Sequence, residues 1–200
     1  MTLLRHVALE IDVLRRQAIR RILAHRIRYY NPTLRTHDTA IWDYGYHDID
    51  AIQLGENVSV GAFAEIVVYK SSKYSSTEGR LIVGSNSVIS TGVNIRAAGG
   101  LVRIGNYSVV AQNSVVVAAN HKAAPGQTFL FNAWDESRTG VEIGDNVWIG
   151  AGCVLVPGAR VGDNVIIGAG SVVTGTVPSD EIWAGAPARK LKHLSVRPDP

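Results

Sequence analysis

A six-residue repeat restricts what this chain can fold into more than any other feature of its sequence. From Ile143 to Val173 an aliphatic residue recurs at every sixth position, and a smaller residue follows each one four positions later. The fifteen lead positions of the repeat are all Ile, Leu or Val: Leu54, Val60, Ile66, Val83, Ile89, Ile95, Ile104, Val110, Val116, Ile143, Ile149, Leu155, Val161, Ile167 and Val173. A helix needs apolar spacings of three and four, and a free strand needs alternation. Spacings of four and two therefore predict short strands separated by corners, with the marked residues pointing inward.

The corners of such a structure need residues that tolerate a positive φ. The position before the smaller residue supplies Asn or Gly at nine places: Asn57, Asn86, Gly92, Asn113, Asn146, Gly152, Gly158, Asn164 and Gly170. Three flat sides of six residues close a triangular coil of eighteen residues, and parallel pairing stacks such coils about 4.8 Å apart. We therefore predict an all-β fold, a parallel β-helix of about five coils.

Three insertions interrupt the repeat, at residues 71–82, 97–102 and 122–140, and the last of them is a long excursion loop. Before the coils, apolar residues are spaced for one face of an α-helix: Leu3, Val7, Ile11, Leu14, Ala18 and Ile22. We expect three parts in the chain. They are a basic amphipathic helix with an aromatic link (1–50), the β-helix (51–177), and a C-terminal segment with its tail (178–200).

Composition and charge limit where the protein is expected to work. A single Cys excludes an intramolecular disulfide and is typical of a reducing compartment. No apolar run reaches the roughly 18 residues that a membrane span needs. Charged residues interrupt any signal-peptide core near the N-terminus: Arg5, Glu10, Asp12, Arg15 and Arg16. We therefore expect a cytoplasmic protein.

The N-terminal helix is strongly basic, because residues 1–28 contain seven Arg against Glu10 and Asp12. Three interpretations remain open. The helix covers the exposed end of the β-helix, packs on a neighbouring subunit, or contacts anionic lipid headgroups at the inner face of a membrane. We do not expect nucleic-acid binding, since neither an aromatic platform nor a recognition motif accompanies the charge.

The stretch IGDNVWIGAGCVLVPGARVGDNVIIGAGSVVTGTVP, followed by AGAPARKL, resembles the hexapeptide-repeat acyltransferases. It is most similar to the branch that contains galactoside, maltose, xenobiotic and polysaccharide O-acetyltransferases. The resemblance covers about residues 50–192. It implies a left-handed parallel β-helix, a homotrimer with active sites between neighbouring β-helices, and acetyl-CoA as co-substrate. On this basis residues 51–177 form the catalytic domain and residues 178–200 contain a segment that contacts CoA.

The resemblance also implies two catalytic residues. Its general base is a histidine at the start of an extended loop, matched here by His121, directly after Asn120, which we expect to point inward. A neutral imidazole can take a proton from a sugar hydroxyl as that oxygen attacks the thioester carbonyl. Trp148, at an outward position in the next coil, matches a Trp that lines the family's site. Its indole N–H can donate to an oxyanion. Packing between subunits is the other interpretation, and the two are compatible.

Further residues match the family's contacts with the acyl donor. Ala151 replaces a residue whose backbone N–H meets the donor, a Ser in galactoside-type enzymes. Ala169, Thr174 and Gly175 match positions along the pantetheine arm, where small side chains allow close approach. Coil corners alone would explain the same three residues.

Two basic residues, Arg189 and Lys192, match those that meet the phosphates of CoA, although simple solvated charge is the other interpretation. Cys153 is the only thiol and occupies an inward position, so we expect direct transfer in a ternary complex without an acyl-enzyme. Of the six histidines only His121 falls within the coils that the repeat predicts. A zinc site of the γ-carbonic anhydrase type, which needs three histidines, is therefore not expected, and neither is any other metal.

Together these features predict a CoA-dependent O-acetyltransferase that acts on a sugar or polysaccharide hydroxyl. N-acylation of an amino sugar, for example a nucleotide-linked one, and a non-catalytic β-helix scaffold remain as alternatives. The acceptor site has no diagnostic motif. Its candidates are Trp134, Asp135, Glu136 and Phe129 in the loop, Asn94, and the aromatic link from Trp42 to His47.

Overall fold

The chain forms a stack of triangular coils with one long helix at its N-terminal end. The structure is a computed structural model that describes residues 2–126 and 128–194, and side chains from Leu14 onward except that of Leu130. The predicted helix-face side chains of Leu3, Val7 and Ile11 therefore lie outside the described part, as does the predicted tail over residues 195–200.

Regular elements follow the repeat closely. Helix α1 is Thr2–Tyr30, and two short 3-10 helices are Ile49–Ala51 and Phe129–Phe131. The strands are β1 (Arg35–Thr36), β2 (Ile41–Tyr44), β3 (Ile52–Leu54), β4 (Ser59–Val60), β5 (Glu65–Tyr69), β6 (Arg80–Val83), β7 (Val88–Ile89), β8 (Asn94–Ala98), β9 (Leu101–Ile104), β10 (Val109–Val110), β11 (Val115–Val117), β12 (Val141–Ile143), β13 (Trp148–Ile149), β14 (Val154–Leu155), β15 (Arg160–Val161), β16 (Ile166–Ile167), β17 (Val172–Val173), β18 (Thr176–Val177), β19 (Glu181–Ala184) and β20 (Arg189–His193).

Three parallel sheets form the sides of the triangle. Sheet A is β1-β4-β7-β10-β13-β16-β19, sheet B is β2-β5-β8-β11-β14-β17, and sheet C is β3-β6-β9-β12-β15-β18. Strand β20 runs antiparallel to β19 and closes the C-terminal end. The strands make six full coils where the repeat predicted about five. Within these six coils, the strands beyond the predicted five coils are β1 and β2 at the start and β18 at the end. In β2, Trp42 takes a lead position in register with Ile66, where the sequence pattern shows an aromatic instead of an aliphatic residue.

The corners have the predicted conformation. All nine Asn and Gly residues named as corner residues have φ between 54° and 84°, which confirms the prediction. Phe63, Tyr107 and Asp180 also have positive φ and were not predicted, because such residues adopt this conformation only when the surrounding coil requires it.

Buried serines tie neighbouring coils together. The side chains of Ser87, Ser108 and Ser114 are buried, and each hydroxyl donates to a backbone carbonyl of the next coil at 2.7–3.0 Å. The hydroxyls of Ser108 and Ser114 also accept from the N–H groups of Val147 and Cys153 in that next coil. A buried hydroxyl without partners costs about 1–3 kcal/mol, so these bonds make serine compatible with the core.

Helix α1 packs on the first coil through a face that the sequence did not indicate. Leu23 and Ile27 are buried in the core, whereas Leu14, Ala18 and Ile22 of the predicted apolar stripe are exposed. A helix of 29 residues is about 44 Å long, so only its C-terminal part lies over the coil. Within the described residues, no helix is long and apolar enough to cross a membrane.

Candidate active site

His121 lies where the chain leaves sheet B and enters the loop over residues 122–140. Strand β11 ends at Val117 and Ala118 is still buried, whereas Asn120 and His121 are exposed. The expectation that Asn120 points inward was wrong, because the chain departs from the coil directly after Ala118. The imidazole is therefore presented at the edge between sheets B and C.

One ring nitrogen of His121 is held by the loop itself. Its Nδ1 lies 3.0 Å from the backbone carbonyl oxygen of Asn132, and the Asn132 side chain donates to the Lys122 carbonyl at 3.0 Å. Because a carbonyl oxygen can only accept, Nδ1 carries the hydrogen and Nε2 is unprotonated in the neutral ring. Nε2 is therefore the atom that can accept a proton.

Two aromatic side chains stand beside His121. The ring centroids of Tyr74 and Trp134 lie 5.9 Å and 6.0 Å from that of the imidazole, and the two rings are 6.3 Å apart and inclined by 26°. The backbone N–H of Trp134 also donates to the backbone carbonyl of Tyr74 at 2.8 Å. This bond joins the loop to the first insertion, which is shorter than the predicted 71–82 because β6 already begins at Arg80. The sequence pointed to Trp134 as a candidate but not to Tyr74.

A cavity of about 240 Å³ opens beside the imidazole on the outer face of sheet B, and Arg96 and Trp134 are among its lining residues. A closed polar network fixes Arg96 in place. Its Nη2 lies 2.9 Å from Glu65 Oε2, its Nε donates to Asn94 Oδ1 at 2.9 Å, and Asn94 Nδ2 donates to Glu65 Oε2 at 2.7 Å. The candidate Asn94 therefore acts by orienting a cation next to the cavity that His121 lines.

Glu136 fastens the two insertions to each other. Its Oε1 accepts from the Ser75 hydroxyl at 2.7 Å and from the Ser76 N–H at 2.7 Å, and the Thr77 N–H lies 3.4 Å away. These hydrogen bonds lower the pKa of Glu136 from 4.5 to about 2, and the bond from the Ser75 hydroxyl has the largest effect. Glu136 therefore acts as an anchor of the loop that carries Trp134.

This anchor predicts how the loop responds to acid. Because the pKa of Glu136 is lowered in the folded protein, its contribution is complete above pH 4.5 and is lost as the pH falls through about 2. In an NMR titration of the carboxyl carbons, the resonance of Glu136 is identified as the one that is missing from the variant Glu136→Gln. Its chemical shift should remain that of an ionised carboxylate down to about pH 3. Titration of this resonance near the ordinary value of a glutamate would contradict the prediction.

The other acceptor candidates are not drawn into the cavity. Phe129 is exposed in the loop. Asp135 accepts from the backbone and hydroxyl of Ser137, at 3.0 Å and 2.6 Å, and thereby shapes the loop. Trp42 and Tyr44 are buried in the first coil, so these two residues of the aromatic link cannot meet an acceptor.

Trp148 points outward as predicted, but it lies on a different side of the triangle from His121. It is in strand β13 of sheet A, and it lines a cavity of about 360 Å³ together with Tyr107 and Ile166. His121 lines the cavity on sheet B. A site that uses both side chains therefore needs them from two chains.

Three of the residues matched to CoA contacts share one cavity. Thr174, Gly175 and Arg189 line a space of about 120 Å³ at the edge between sheets B and C. His121 lies on the same edge, two coils earlier. Arg138, which no sequence pattern indicated, extends from the loop along this edge and donates a hydrogen bond to the Thr174 carbonyl. The loop thus connects the imidazole to the matched donor residues.

The remaining matched residues lie elsewhere. Ala151 and Ala169 occupy stacked corners between sheets A and B, where the N–H of Gly170 donates to the Ala151 carbonyl at 2.8 Å. Lys192 is exposed on the antiparallel strand β20. One chain therefore does not gather all six predicted donor contacts into one cavity.

Cys153 occupies the inward position that the repeat predicts. It is fully buried, and burial raises the pKa of its thiol. A buried thiol with a raised pKa is a poor nucleophile. Among the described residues, no three His, Cys, Asp or Glu side chains are grouped closely enough to hold a metal ion.

The architecture defines a parallel β-helix built on a six-residue repeat. Residues 140–175 match the family model described as bacterial transferase hexapeptide (six repeats). The galactoside O-acetyltransferase of Escherichia coli strain K12 is 35% identical over 118 residues, which are 57% of this chain and 57% of that protein. The resemblance found in the sequence is thereby confirmed.

Solved structures share the fold. A maltose O-acetyltransferase from Clostridium difficile 630 is 27% identical with a TM-score of 0.63, covering 88% of this chain and 87% of that one. AntD, an N-acyltransferase from Bacillus cereus, is 22% identical with a TM-score of 0.64, covering 82% and 81%. The predicted left-handed parallel β-helix is confirmed. The chain spans about half the length of the curated relatives it matches.

Proposed function

We propose that this protein transfers an acetyl group from acetyl-CoA to a hydroxyl of a sugar or polysaccharide. The observation that carries the proposal is the contact of His121 Nδ1 with the Asn132 carbonyl. It leaves Nε2 as a proton acceptor beside a mostly apolar cavity that Trp134 borders and to which Tyr69 and Arg96 add polar groups. The apolar lining suits the apolar face of a sugar ring, and Arg96 can donate a hydrogen bond to one of its hydroxyl groups.

The chemistry needs one base and no covalent enzyme intermediate. His121 Nε2 takes the proton of the acceptor hydroxyl while the hydroxyl oxygen attacks the thioester carbonyl. The tetrahedral intermediate then collapses, the carbon–sulfur bond breaks, and the imidazolium returns the proton to the leaving CoA thiolate. The products are an acetyl ester and free CoA. The buried Cys153 takes no part.

The donor is expected along the edge between sheets B and C. Thr174 and Gly175 allow close approach of a pantetheine arm, and Arg189 supplies positive charge for phosphate groups. Gly175 supports this view, because the space where a Cβ would stand contains no atom within 4 Å. Such an arm would run along the coils towards His121.

A homotrimer is part of the proposal. His121 and Trp148 belong to different sheets, and so do the two groups of matched donor residues. In a threefold arrangement, one β-helix would present sheet B and His121 to sheet A and Trp148 of its neighbour. Sedimentation equilibrium of the full chain measures the molar mass of the assembly and therefore tests for a trimer.

The relatives include both O- and N-acyltransferases, so they do not distinguish acylation of an oxygen from acylation of a nitrogen. A neutral amine already has an available lone pair, whereas a hydroxyl must lose its proton during attack. A histidine with a fixed tautomer favours the hydroxyl. A non-catalytic β-helix scaffold would not need a histidine whose tautomer is fixed beside a cavity.

Acetyl transfer to paired acceptors tests the proposal. The full chain is incubated with acetyl-CoA and with neutral sugars, matched amino sugars and capsule fragments, and both thiol release and product masses are followed. We expect a product that gains one acetyl group and loses it in mild alkali, as an ester does. An alkali-stable product would instead identify the N-acyltransferase, and no thiol release with any acceptor would favour the scaffold.

A further inference from the structure

Helix α1 has an apolar stripe that the β-helix does not cover. This outer stripe consists of Leu14, Ala18, Ile22 and Tyr29. With 3.6 residues per turn it lies opposite the face that packs on the first coil. Leu14 is 64% exposed, Ile22 52% and Tyr29 74%. The described members of the predicted apolar stripe, Leu14, Ala18 and Ile22, therefore face away from the core.

Arginines border this stripe. At 100° per residue, Arg15 follows one side of the outer stripe and Arg21 the other, and both are exposed. Residues 1–28 hold seven Arg against two acidic residues. From Leu14 to Tyr30 the helix contains six Arg and no Asp or Glu, so positive charge surrounds the outer stripe. Of these arginines, Arg28 pairs with Asp38.

A cavity next to the stripe adds aromatic and cationic groups. It measures about 440 Å³ and lies between α1 and Tyr46. The Arg26 guanidinium carbon is 4.3 Å from the centre of the Tyr46 ring and 5.6 Å from that of Tyr30. Arg26 Nε is buried and has no hydrogen-bond partner among the described residues. An unpaired buried donor on a cation favours an anionic ligand.

We propose that α1 binds the anionic surface of a lipid bilayer, with the outer stripe in the interface, Arg15 and Arg21 against headgroup phosphates, and one headgroup over Arg26. Apolar side chains enter the acyl boundary, arginines attract anionic lipids, and tyrosines sit at the level of the headgroups. The proposal concerns a surface outside the candidate active site and does not depend on the transferase reaction.

Other occupants fit less well. A second copy of α1 would bring its own arginines against Arg15 and Arg21, and like charges repel. Nucleic acid could pair with the arginines through its phosphates. It would, however, leave the apolar side chains of the outer stripe in water. An anionic bilayer can contact the arginines through its headgroups and the apolar side chains of the outer stripe through its acyl chains.

Vesicle flotation with the full chain, without acyl donor, measures the binding. We expect binding to vesicles of phosphatidylcholine with a third of phosphatidylglycerol, weak binding to pure phosphatidylcholine, and a decrease with added NaCl. The double variant Arg15→Gln/Arg21→Gln should bind anionic vesicles roughly tenfold or more weakly. The matched control is Arg35→Gln/Arg103→Gln, which removes two exposed arginines of the β-helix and should bind like the wild type.

A second pair of variants tests the apolar contribution without changing charge. Leu14→Gln should weaken binding, whereas Leu191→Gln, at a side chain also 64% exposed, should not. Circular dichroism and thermal unfolding should stay unchanged, since all these side chains are exposed. The proposal is overturned if both variants of a pair lose the same amount of vesicle binding, or if the wild type binds neutral and anionic vesicles equally. It is also overturned if the protein binds DNA or RNA oligonucleotides more tightly than vesicles, or if it self-associates in a way that Leu14→Gln abolishes.

Discussion

His121→Ala should lower the turnover of hydroxyl acetylation by about 10² to 10⁴-fold, because the variant removes the group that accepts the proton. The Michaelis constant for acetyl-CoA should change little, since the matched donor residues Thr174, Gly175 and Arg189 remain. The variant should fold normally, because the His121 side chain is exposed. Steady-state thiol release with a saturating hydroxyl acceptor measures the effect.

Two comparisons make the result specific. His37 is also an exposed histidine held by a neighbouring oxygen, the Thr39 hydroxyl at 2.9 Å, but it lies on the first coil, so His37→Ala should keep full activity. With an amine acceptor, His121→Ala should lose much less, because an amine depends less on a base. Turnover of His121→Ala close to that of the wild type on hydroxyl acceptors would refute the assigned role.

The sequence predicted the coils well because they result from local geometry. Many corners contain one residue with a positive φ, and Asn or Gly marks nine of these positions, whereas Phe63, Tyr107 and Asp180 take the same conformation without such a signal. Each lead residue needed only a side chain that points into the core, and the six-residue spacing predicts that direction. His121 was found for a related reason, since it stands where the period is interrupted.

Contacts between insertions could not be read in the same way. Ser75 and Glu136 are 61 residues apart and neither follows the repeat, so no spacing relates them. Tyr74 and Arg138 likewise reach the site from irregular loops. The N-terminal helix shows the opposite problem. Its strongest apolar pattern is real, but the coil covers only the turn around Leu23 and Ile27, and periodicity cannot say which partner a face will meet.

Gly99→Ala should disturb the active site without touching His121. Gly99 sits in the turn between β8 and β9 with φ of 63°, and a Cβ there would overlap the Trp134 ring and approach the Ala119 Cβ to 3.1 Å. The Trp134 ring must then move away from residue 99, which changes its position relative to the imidazole that it borders. Because misplacement by about 1 Å can cost 10²-fold in rate, we expect a ten- to hundredfold lower turnover. Steady-state turnover and the emission spectrum of the tryptophans report the change.

Gly126→Ala separates the two effects that Gly99→Ala combines. Gly126 has φ of 76° but no atom lies within 4 Å of the position of its Cβ, so alanine there meets only the backbone strain of a left-handed residue, about 1–2 kcal/mol. Both variants should unfold at lowered temperatures, Gly99→Ala at the lower one because of its added clash, yet only Gly99→Ala should lose activity. Equal losses of activity would mean that backbone strain in the loops, and not the position of Trp134, controls the reaction. An active Gly99→Ala would mean that the aromatic wall beside His121 is not needed.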